Sequence, residues 1–204
     1  MDRRNMLKAS AFSLGGLAAT LQGATPSQPE GPFHPVNIDN DLRRLNRGSP
    51  FASGQQIKIH GQVLRSDTKA PVSGAYIEIW QADENGKYAH PSDPLPVDPD
   101  PNFQFWGRAG TDHTGRYEFF SIKPGSYPAG AGWTRPPHIH LHISRRGFQA
   151  LTTQLYFAGE PLNKLDRLLN QVPANEQYLL ITSLEEDPAT GLWNGSFNIE
   201  LDPV

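Results

Sequence analysis

Short runs of alternating apolar and polar residues fill most of the chain after residue 54. In the run AYIEIWQ (75–81), Ala75, Ile77 and Ile79 fall on one side of an extended chain and the residues between them fall on the other. This is the two-residue period of a half-buried strand. Turn-forming residues separate the runs, and several short strands at regular spacing predict a β-sandwich. The other candidate strands are QIKIHGQVLR (Gln56–Arg65), RYEFFSI (Arg116–Ile122), HIHLHIS (His138–Ser144), LTTQLYF (Leu151–Phe157), YLLITSL (178–184) and SFNIEL (196–201).

Two longer segments depart from the strand pattern. The segment PLNKLDRLLNQV (161–172) repeats leucine at helical spacing and predicts one short helix. The segment 82–104 is rich in Pro and Asp, and a connection of that length inside a compact domain is usually functional. The fold class that we predict is therefore mainly β: a β-sandwich core with long functional loops and one short helix.

The first residues have the layout of an export signal. Arg3 and Arg4 precede a mildly apolar stretch (9–21), and small residues end at Ala24. This order is typical of a twin-arginine signal peptide, whereas a membrane span takes about 20 apolar residues. The alternative is an amphipathic N-terminus of a cytoplasmic protein.

On the export interpretation, residues 1–24 are a signal peptide and residues 25–204 form one domain that begins with an N-terminal arm or loop (25–54). We expect this domain to be exported, to the periplasm, by the twin-arginine route. We expect no membrane span in the mature chain.

Composition narrows the chemistry. The 204 residues include no cysteine, 18 Lys and Arg, and 21 Asp and Glu, with a net charge of −3. The charge offers no electrostatic basis for nucleic-acid binding. Without cysteine there is neither a thiolate metal site nor a thiol nucleophile, so a metal ion would have to be held by His, Tyr, Asp, Glu or backbone oxygen.

Three histidines share one face of a predicted strand. His138, His140 and His142 alternate directly after Pro136 and Pro137. Neighbours two residues apart lie about 6.6 Å apart along a strand, and two imidazoles at that spacing can converge on one metal ion. With a carboxylate, such a pair would suggest zinc or Fe(II). The alternative is that these histidines fill hydrogen-bonded positions in the sheet.

Two tyrosines stand in loop contexts rich in turn residues. Tyr88 closes the segment DENGKY, and Tyr127 lies within PGSYP. A free tyrosine titrates near pH 10, but a bound cation can deprotonate it as it deprotonates coordinated water. Phenolate is a hard anionic ligand that favours Fe(III) over Fe(II). The alternative for each tyrosine is packing at the rim of the fold with a solvated hydroxyl.

Several longer runs, taken together in their order and spacing, resemble the intradiol ring-cleavage dioxygenases, and among them the iron-bearing subunits of protocatechuate 3,4-dioxygenase. The family has a β-sandwich core, which agrees with the strand pattern. The runs that carry the resemblance are GPFHP (31–35), IEIWQADENGKY (77–88), TDHTGRYEFFSIKPGSYP (111–128), RPPHIHLHIS (135–144) and TTQLYFAGEP (152–161).

The resemblance implies a non-haem Fe(III) ion held by two tyrosinates and two histidines. The positions that match the family pattern are Tyr88, Tyr127, His138 and His140. Tyr127 and His140 would be axial ligands, and Tyr88 and His138 equatorial ones. His142 would then be no ligand, although it shares their face.

The resemblance also implies catalytic roles and a reaction. Tyr127 would leave the metal and accept a proton from the substrate, Arg135 would stabilise negative charge, and Gln154 would line the pocket. The substrate would be a catechol-type diol, cleaved with O2 between its two hydroxyls to a cis,cis-muconate-type diacid. A homo-oligomer or a hetero-oligomer with a second subunit would fit the family.

Some interpretations stay open at the level of sequence. Arg135 could instead form a salt bridge to an acid such as Asp112. The tryptophan that often follows the second tyrosine motif is replaced, so either Trp133 takes its place or the pocket is more open there. Two other functions remain: a non-catalytic cell-envelope β-sandwich binding module, and a zinc or Fe(II) enzyme that uses His138 and His140 with a carboxylate. A binding module has no reason to keep two tyrosines and two histidines together.

Overall fold

The computed structural model describes residues 25–29, 39–130 and 132–204. The predicted signal peptide (1–24) and the GPFHP segment (31–35) lie outside the described residues, so both stay predictions. In the part of the chain that the structure describes, no helix is long and apolar enough to cross a bilayer.

The described residues form a mainly β fold, as predicted, with strands arranged in two five-stranded sheets and one two-stranded sheet. The strands are β1 (Gln56–Arg65), β2 (Tyr76–Trp80), β3 (Trp106–Gly110), β4 (Arg116–Ile122), β5 (Tyr127–Gly130), β6 (Trp133–Arg135), β7 (His138–Ser144), β8 (Leu151–Phe157), β9 (Ile181–Thr182), β10 (Leu184–Asp187), β11 (Leu192–Ser196) and β12 (Ile199–Leu201).

The long strand β1 organises the first sheet. Strand β4 pairs with it antiparallel along one edge, while β11 and β12 pair with it parallel, at its beginning and its end respectively. Strand β10 extends the sheet beyond β11. This sheet forms one layer of the sandwich.

The second sheet has the strand order β3–β2–β7–β8–β9. Its first four strands are antiparallel and β9 joins β8 in parallel. One face of it packs on the first sheet through buried residues such as Ile77, Ile139 and Leu141, which meet Ile57 and Phe119 in a single apolar core. Because side chains alternate along a strand, the opposite face of the same sheet carries the other set of residues.

The segment 161–172 departs from the single helix that leucine spacing predicts. It folds as two 3₁₀ turns, Pro161–Leu165 and Leu169–Gln171, with Asp166 between them in an extended conformation. The Asp166 side chain is fully buried and accepts hydrogen bonds from the backbone N–H groups of Leu168 and Leu169. The same carboxylate also accepts hydrogen bonds from Arg135 on β6 and Tyr156 on β8, and these contacts with the strands interrupt the helix.

The segment 178–184 also differs from the single strand that was predicted. Its first part belongs to a 3₁₀ turn, Gln177–Leu180, and only Ile181–Thr182 pairs with β8 before β10 begins in the other sheet. The pattern did not predict β3, β5, β6 and β11, which are rich in Gly and Trp and lack a clear apolar alternation.

Candidate active site and metal centre

The outer face of the second sheet holds the two histidines at the centre of the site. Ile139 and Leu141 point into the sandwich core, so His138 and His140 project from the opposite face, and both are 1% exposed. Trp80, from the neighbouring strand, stacks on the His140 ring with centroids 5.0 Å apart and planes 6° from parallel. The register of β2 against β7 sets this contact, because Trp80 lies opposite His140.

Two loops cover this face and bring the tyrosines to the histidines. Tyr88 comes from the long segment between β2 and β3, and Tyr127 begins β5. Their rings are perpendicular with centroids 5.4 Å apart. Tyr127 lies 5.6 Å from the ring of His138, and Tyr88 lies 6.5 Å from that of His140. The four predicted ligand side chains therefore converge.

Close backbone contact holds the two tyrosine loops together. The N–H of Gly125 donates to the carbonyl of Asp83 at 2.8 Å. A Cβ added to Gly86 would lie 2.2 Å from the carbonyl oxygen of Ser126, and one added to Gly125 would lie 2.3 Å from that of Glu84. Only glycine permits this approach, so the pair sets the separation of Tyr88 and Tyr127.

The histidine geometry fits a metal ion. The Nε2 atoms of His138 and His140 are 3.2 Å apart, close to the ~3 Å that two ligand bonds of 2.0–2.1 Å give at a right angle. The Nδ1 atom of His138 is 2.7 Å from the carbonyl oxygen of Pro136, so an N–H there donates to it and leaves the lone pair of Nε2 toward the site. Among the described residues, no three His, Asp or Glu side chains gather around a common point. The further donors beside this pair are therefore the phenols.

Burial controls the protonation of these groups. It raises the pKa of Tyr88 well above its usual value, and the nearby Tyr127 raises it further. The pKa of Tyr127 is also raised by burial, although Arg135 opposes the shift. Burial, assisted by Arg135, lowers the pKa values of His138 and His140 well below the usual range. The imidazoles are thus neutral and can donate an electron pair to a metal ion. The phenols need a nearby cation to become phenolates.

Arg135 lies at the centre of a buried hydrogen-bond network. Its Nη1 is 3.0 Å from Nε2 of His138, and its Nη2 donates to Oε1 of Gln154 at 2.6 Å. Nη2 also donates to the hydroxyl of Tyr156 at 3.0 Å, and Nε donates to Oδ2 of Asp166 at 3.0 Å. The structure thus places Arg135 and Gln154 beside the four side chains that were predicted as metal ligands.

The acid that pairs with Arg135 is Asp166 and not Asp112. Asp112 uses its carboxylate in its own turn, where it accepts from the N–H groups of Thr114 and Arg116. Sequence reasoning missed Asp166 and Tyr156. The available signal for Asp166 was an aspartate within the segment 161–172, where leucine recurs at helical spacing. A carboxylate at an apolar position of such a segment requires a buried partner.

His142 shares the face of the other two histidines but stands apart from the site. Its Nδ1 is 2.9 Å from the hydroxyl oxygen of Thr152 on β8. Its backbone lies opposite Glu78 and Thr152 in the sheet. The interpretation as a hydrogen-bonded sheet position therefore fits His142.

A cavity of about 380 Å³ opens beside this cluster. Tyr127, Arg135 and Gln154 form its inner end, and Trp133 is part of its wall. Trp133 therefore lies where a pocket tryptophan is expected. The other lining residues are Pro29, Asp93, Pro94, Leu95, Pro128, Ala129, Gly130 and Leu168.

A buried ion pair fixes the backbone of Tyr88. Nζ of Lys87 is 3.1 Å from Oδ1 of Asp93, and the Tyr88 N–H donates to Oδ2 of Asp93 at 2.7 Å. Oδ1 of Asp93 also accepts from the N–H of Leu95. One carboxylate thus joins Tyr88, a predicted ligand, to the wall of the cavity.

We predict that Asp93→Asn weakens metal binding by roughly 10- to 100-fold, the usual effect of losing a group that orients a ligand. It is also expected to lower the free energy of unfolding, because Lys87 keeps a nearly buried charge. Competition with a chelator measures the first effect. The matched control is Asp67→Asn, which breaks the exposed Arg65–Asp67 pair. Equal metal affinities in the two variants would contradict the prediction.

Comparison with known proteins places the chain among dioxygenases. Residues 30–203 match the Dioxygenase_C model, described as dioxygenase. The protocatechuate 3,4-dioxygenase beta chain of Burkholderia cepacia is 38% identical over 156 residues, which are 74% of this chain and 65% of that protein. This chain spans roughly half to two thirds of the length of the first curated relatives that it matches.

Solved structures show the same fold. The crystal structure of 3-chlorocatechol 1,2-dioxygenase from Rhodococcus opacus 1CP matches with a TM-score of 0.72 and 26% identity, over 89% of this chain and 74% of that one. The dioxygenase domain of a dioxygenase carbohydrate-binding protein fusion from Streptomyces sp. SirexAA-E matches with a TM-score of 0.66 and 29% identity, over 89% of this chain and 99% of that one.

Proposed function

The chain belongs to the Dioxygenase_C family, the intradiol ring-cleavage dioxygenases, and on that basis we propose that it is an Fe(III)-dependent enzyme. It cleaves the ring of a catechol-type diol between the two hydroxyls with O2 and yields a cis,cis-muconate-type diacid. The observation that carries this proposal is the convergence of Tyr88, Tyr127, His138 and His140 beside a cavity.

The donor set supports iron in the ferric state. Proteins of this family use non-haem iron, and two phenols with two neutral imidazoles form a hard oxygen and nitrogen set. Bound there, Fe(III) supplies an electron-accepting centre for a chelated diol. A zinc or Fe(II) site with a carboxylate is less well supported, because no carboxylate joins the two histidines among the described residues.

The two tyrosines differ in their access to the cavity. Tyr127 lines it, whereas Tyr88 does not and is only 3% exposed. We therefore assign to Tyr127, and not to Tyr88, the role of the ligand that leaves the metal when the substrate binds. Its phenolate oxygen accepts the proton of a substrate hydroxyl, which is general-base catalysis, while Tyr88 stays in place. Arg135 favours the phenolate form of Tyr127, because its charge acts against the effect of burial on the pKa.

Arg135 supplies positive charge at the inner end of the cavity. Asp166 and Gln154 hold the guanidinium in place, and it lies where negative charge grows on a diol bound next to Tyr127. A fixed charge in a buried site stabilises such a developing charge without reorganisation. Gln154 acts through Arg135 and is a positioning residue: its Oε1 accepts from Arg135, and its Nε2 donates to the carbonyl of Pro29.

Two further properties belong to the proposal. The relative from Burkholderia cepacia is named as one chain of an assembly, which supports a homo-oligomer or hetero-oligomer for this chain.

Export to the periplasm through a twin-arginine signal rests on Arg3, Arg4 and the apolar stretch that follows. Fractionation of cells that express the full chain, with an Arg3→Lys/Arg4→Lys variant, tests the location. Retention of the native chain in the cytoplasm would exclude export.

We predict that the iron-loaded protein consumes one O2 per catechol and that the product has the mass of the substrate plus O2. The protein is expected to be burgundy from phenolate-to-iron charge transfer and to show high-spin Fe(III) by electron paramagnetic resonance. Tyr127→Phe is expected to shift the absorption band and to slow turnover. Tyr178→Phe, at an exposed tyrosine, is the matched control. A colourless iron-loaded protein would contradict the proposal.

A further inference from the structure

The cavity beside the proposed metal centre is larger than an unsubstituted diol requires. Its volume is about 380 Å³, within the range of roughly 300–1,000 Å³ that buries molecules of drug size. A catechol is a single six-membered ring, so a ring seated next to Tyr127 and Arg135 leaves space toward the outer wall. A substituent on the ring would occupy that space.

The outer wall is formed mainly by apolar groups. Pro94 and Leu95 contribute to it from the long segment between β2 and β3, and Pro128 and Ala129 contribute from β5. Trp133 and Leu168 are the remaining large side chains of the wall. Burial of a substituent against these groups is favourable in proportion to its apolar area.

The charged groups that line the cavity already have partners. Asp93 is paired with Lys87 at 3.1 Å, and Arg135 is paired with Asp166 at 3.0 Å. Arg167 lies over the Trp133 ring at 5.2 Å but does not line the cavity. A carboxylate buried in this cavity would lose its hydration and meet no free cation among the described lining residues, which is unfavourable.

One polar group of the wall stands without a partner. The indole N–H of Trp133 is buried and has no hydrogen-bond acceptor among the described residues. Because this nitrogen is itself buried, it presents no charge to a substituent in the cavity. The wall thus offers nothing that compensates the charge of a carboxylate and favours a neutral group.

We propose that this cavity selects catechols that carry an uncharged, mainly apolar ring substituent and discriminates against a ring carboxylate. The proposal rests on the proposed function and gives its substrate class. It sets this chain apart from the relative named for protocatechuate, whose ring bears a carboxylate.

The test compares four diols with the iron-loaded full chain: catechol, 4-ethylcatechol, 3,4-dihydroxybenzamide and protocatechuate. The amide is the neutral isostere of protocatechuate, so the pair separates charge from size. We expect kcat/KM for the amide to exceed that for protocatechuate by about 10-fold or more. We expect kcat/KM for 4-ethylcatechol to exceed that for catechol by about fourfold for each methylene-sized group that the cavity buries. Titration under nitrogen, where no turnover occurs, gives the corresponding dissociation constants.

A charge placed on the wall tests the cause. Ala129 is exposed on β5 and lines the cavity. In Ala129→Lys, the ratio of kcat/KM for protocatechuate to kcat/KM for the amide is expected to be about 10-fold higher than in Ala129→Met. Methionine has a similar length to lysine and carries no charge. An unchanged ratio would show that the charge of the wall does not decide selectivity and would overturn the proposal.

The failures are distinguishable. If none of the four diols is consumed, the proposed function is wrong, and so is the inference about the ring substituent. If protocatechuate is consumed at least as efficiently as the amide, ring cleavage stands and the inference about the substituent is wrong. Preference for the amide and for 4-ethylcatechol supports both.

Discussion

Replacement of His140 by asparagine is expected to abolish iron binding and ring cleavage. His140 is 1% exposed, and its Nε2 lies 3.2 Å from that of His138. Loss of a direct ligand should cost more than the ~100-fold that loss of a ligand-orienting group costs. Iron content after dialysis against a weak chelator and the intensity of the visible band measure the effect. Folding is checked by circular dichroism, because Trp80 stacks on the replaced ring.

The matched control is His142→Asn, two residues along the same strand face. His142 contacts Thr152 and not the other site residues. We expect this variant to keep its iron, its colour and its turnover. If His142→Asn loses iron as completely as His140→Asn, the assignment of His138 and His140 as the histidine ligands is wrong.

Asp166→Asn is expected to produce the second large effect, on stability and on turnover together. The change keeps an oxygen that can accept from the N–H groups of Leu168 and Leu169 but removes the charge that pairs with Arg135. A buried cation without its partner typically costs about 3–5 kcal/mol of unfolding free energy. We also expect kcat/KM to fall by roughly 10- to 100-fold, because Arg135 is no longer oriented. Urea unfolding and O2 uptake measure the two effects.

Two comparisons separate the structural cause from the catalytic one. Asp112→Asn, at the exposed acid that the sequence also offered as a partner for Arg135, is expected to leave both properties nearly unchanged. The double variant Arg135→Met/Asp166→Asn removes the unpaired charge. It should recover much of the lost stability and none of the lost turnover. Full recovery of turnover in the double variant would exclude a catalytic role for Arg135.

The strands of the sandwich could be predicted because their signal is local. Apolar residues at every second position in β1, β2, β4 and β7 reflect burial of one face, and that period is visible without any partner strand. Strand β3 was not predicted, because its sequence WGRAG has no alternation of apolar and polar residues. Its strand character comes from pairing with β2.

The helix expected over 161–172 shows a limit of the same reasoning. Leucine spacing favoured one helix, but the buried Asp166 forms hydrogen bonds with Arg135 and Tyr156, which lie outside this segment. These partners are distant in sequence, and a buried ion pair outweighs the small differences in local propensity. The outcome is two 3₁₀ turns that deliver a carboxylate and Leu168 to the site.

By itself, the sequence determined that the fold is β and that His138 and His140 share one strand face, because both follow from the two-residue period of an extended chain. The family resemblance implied that Tyr88 and Tyr127 join them, but only the tertiary structure decided how the two tyrosine rings meet the histidines and that Asp166 pairs with Arg135. These contacts join loops to a sheet across long stretches of chain, and no local pattern records them. The spacing of the two tyrosine loops depends on backbone contact at Gly86 and Gly125, which joins the loop after β2 to the loop after β4.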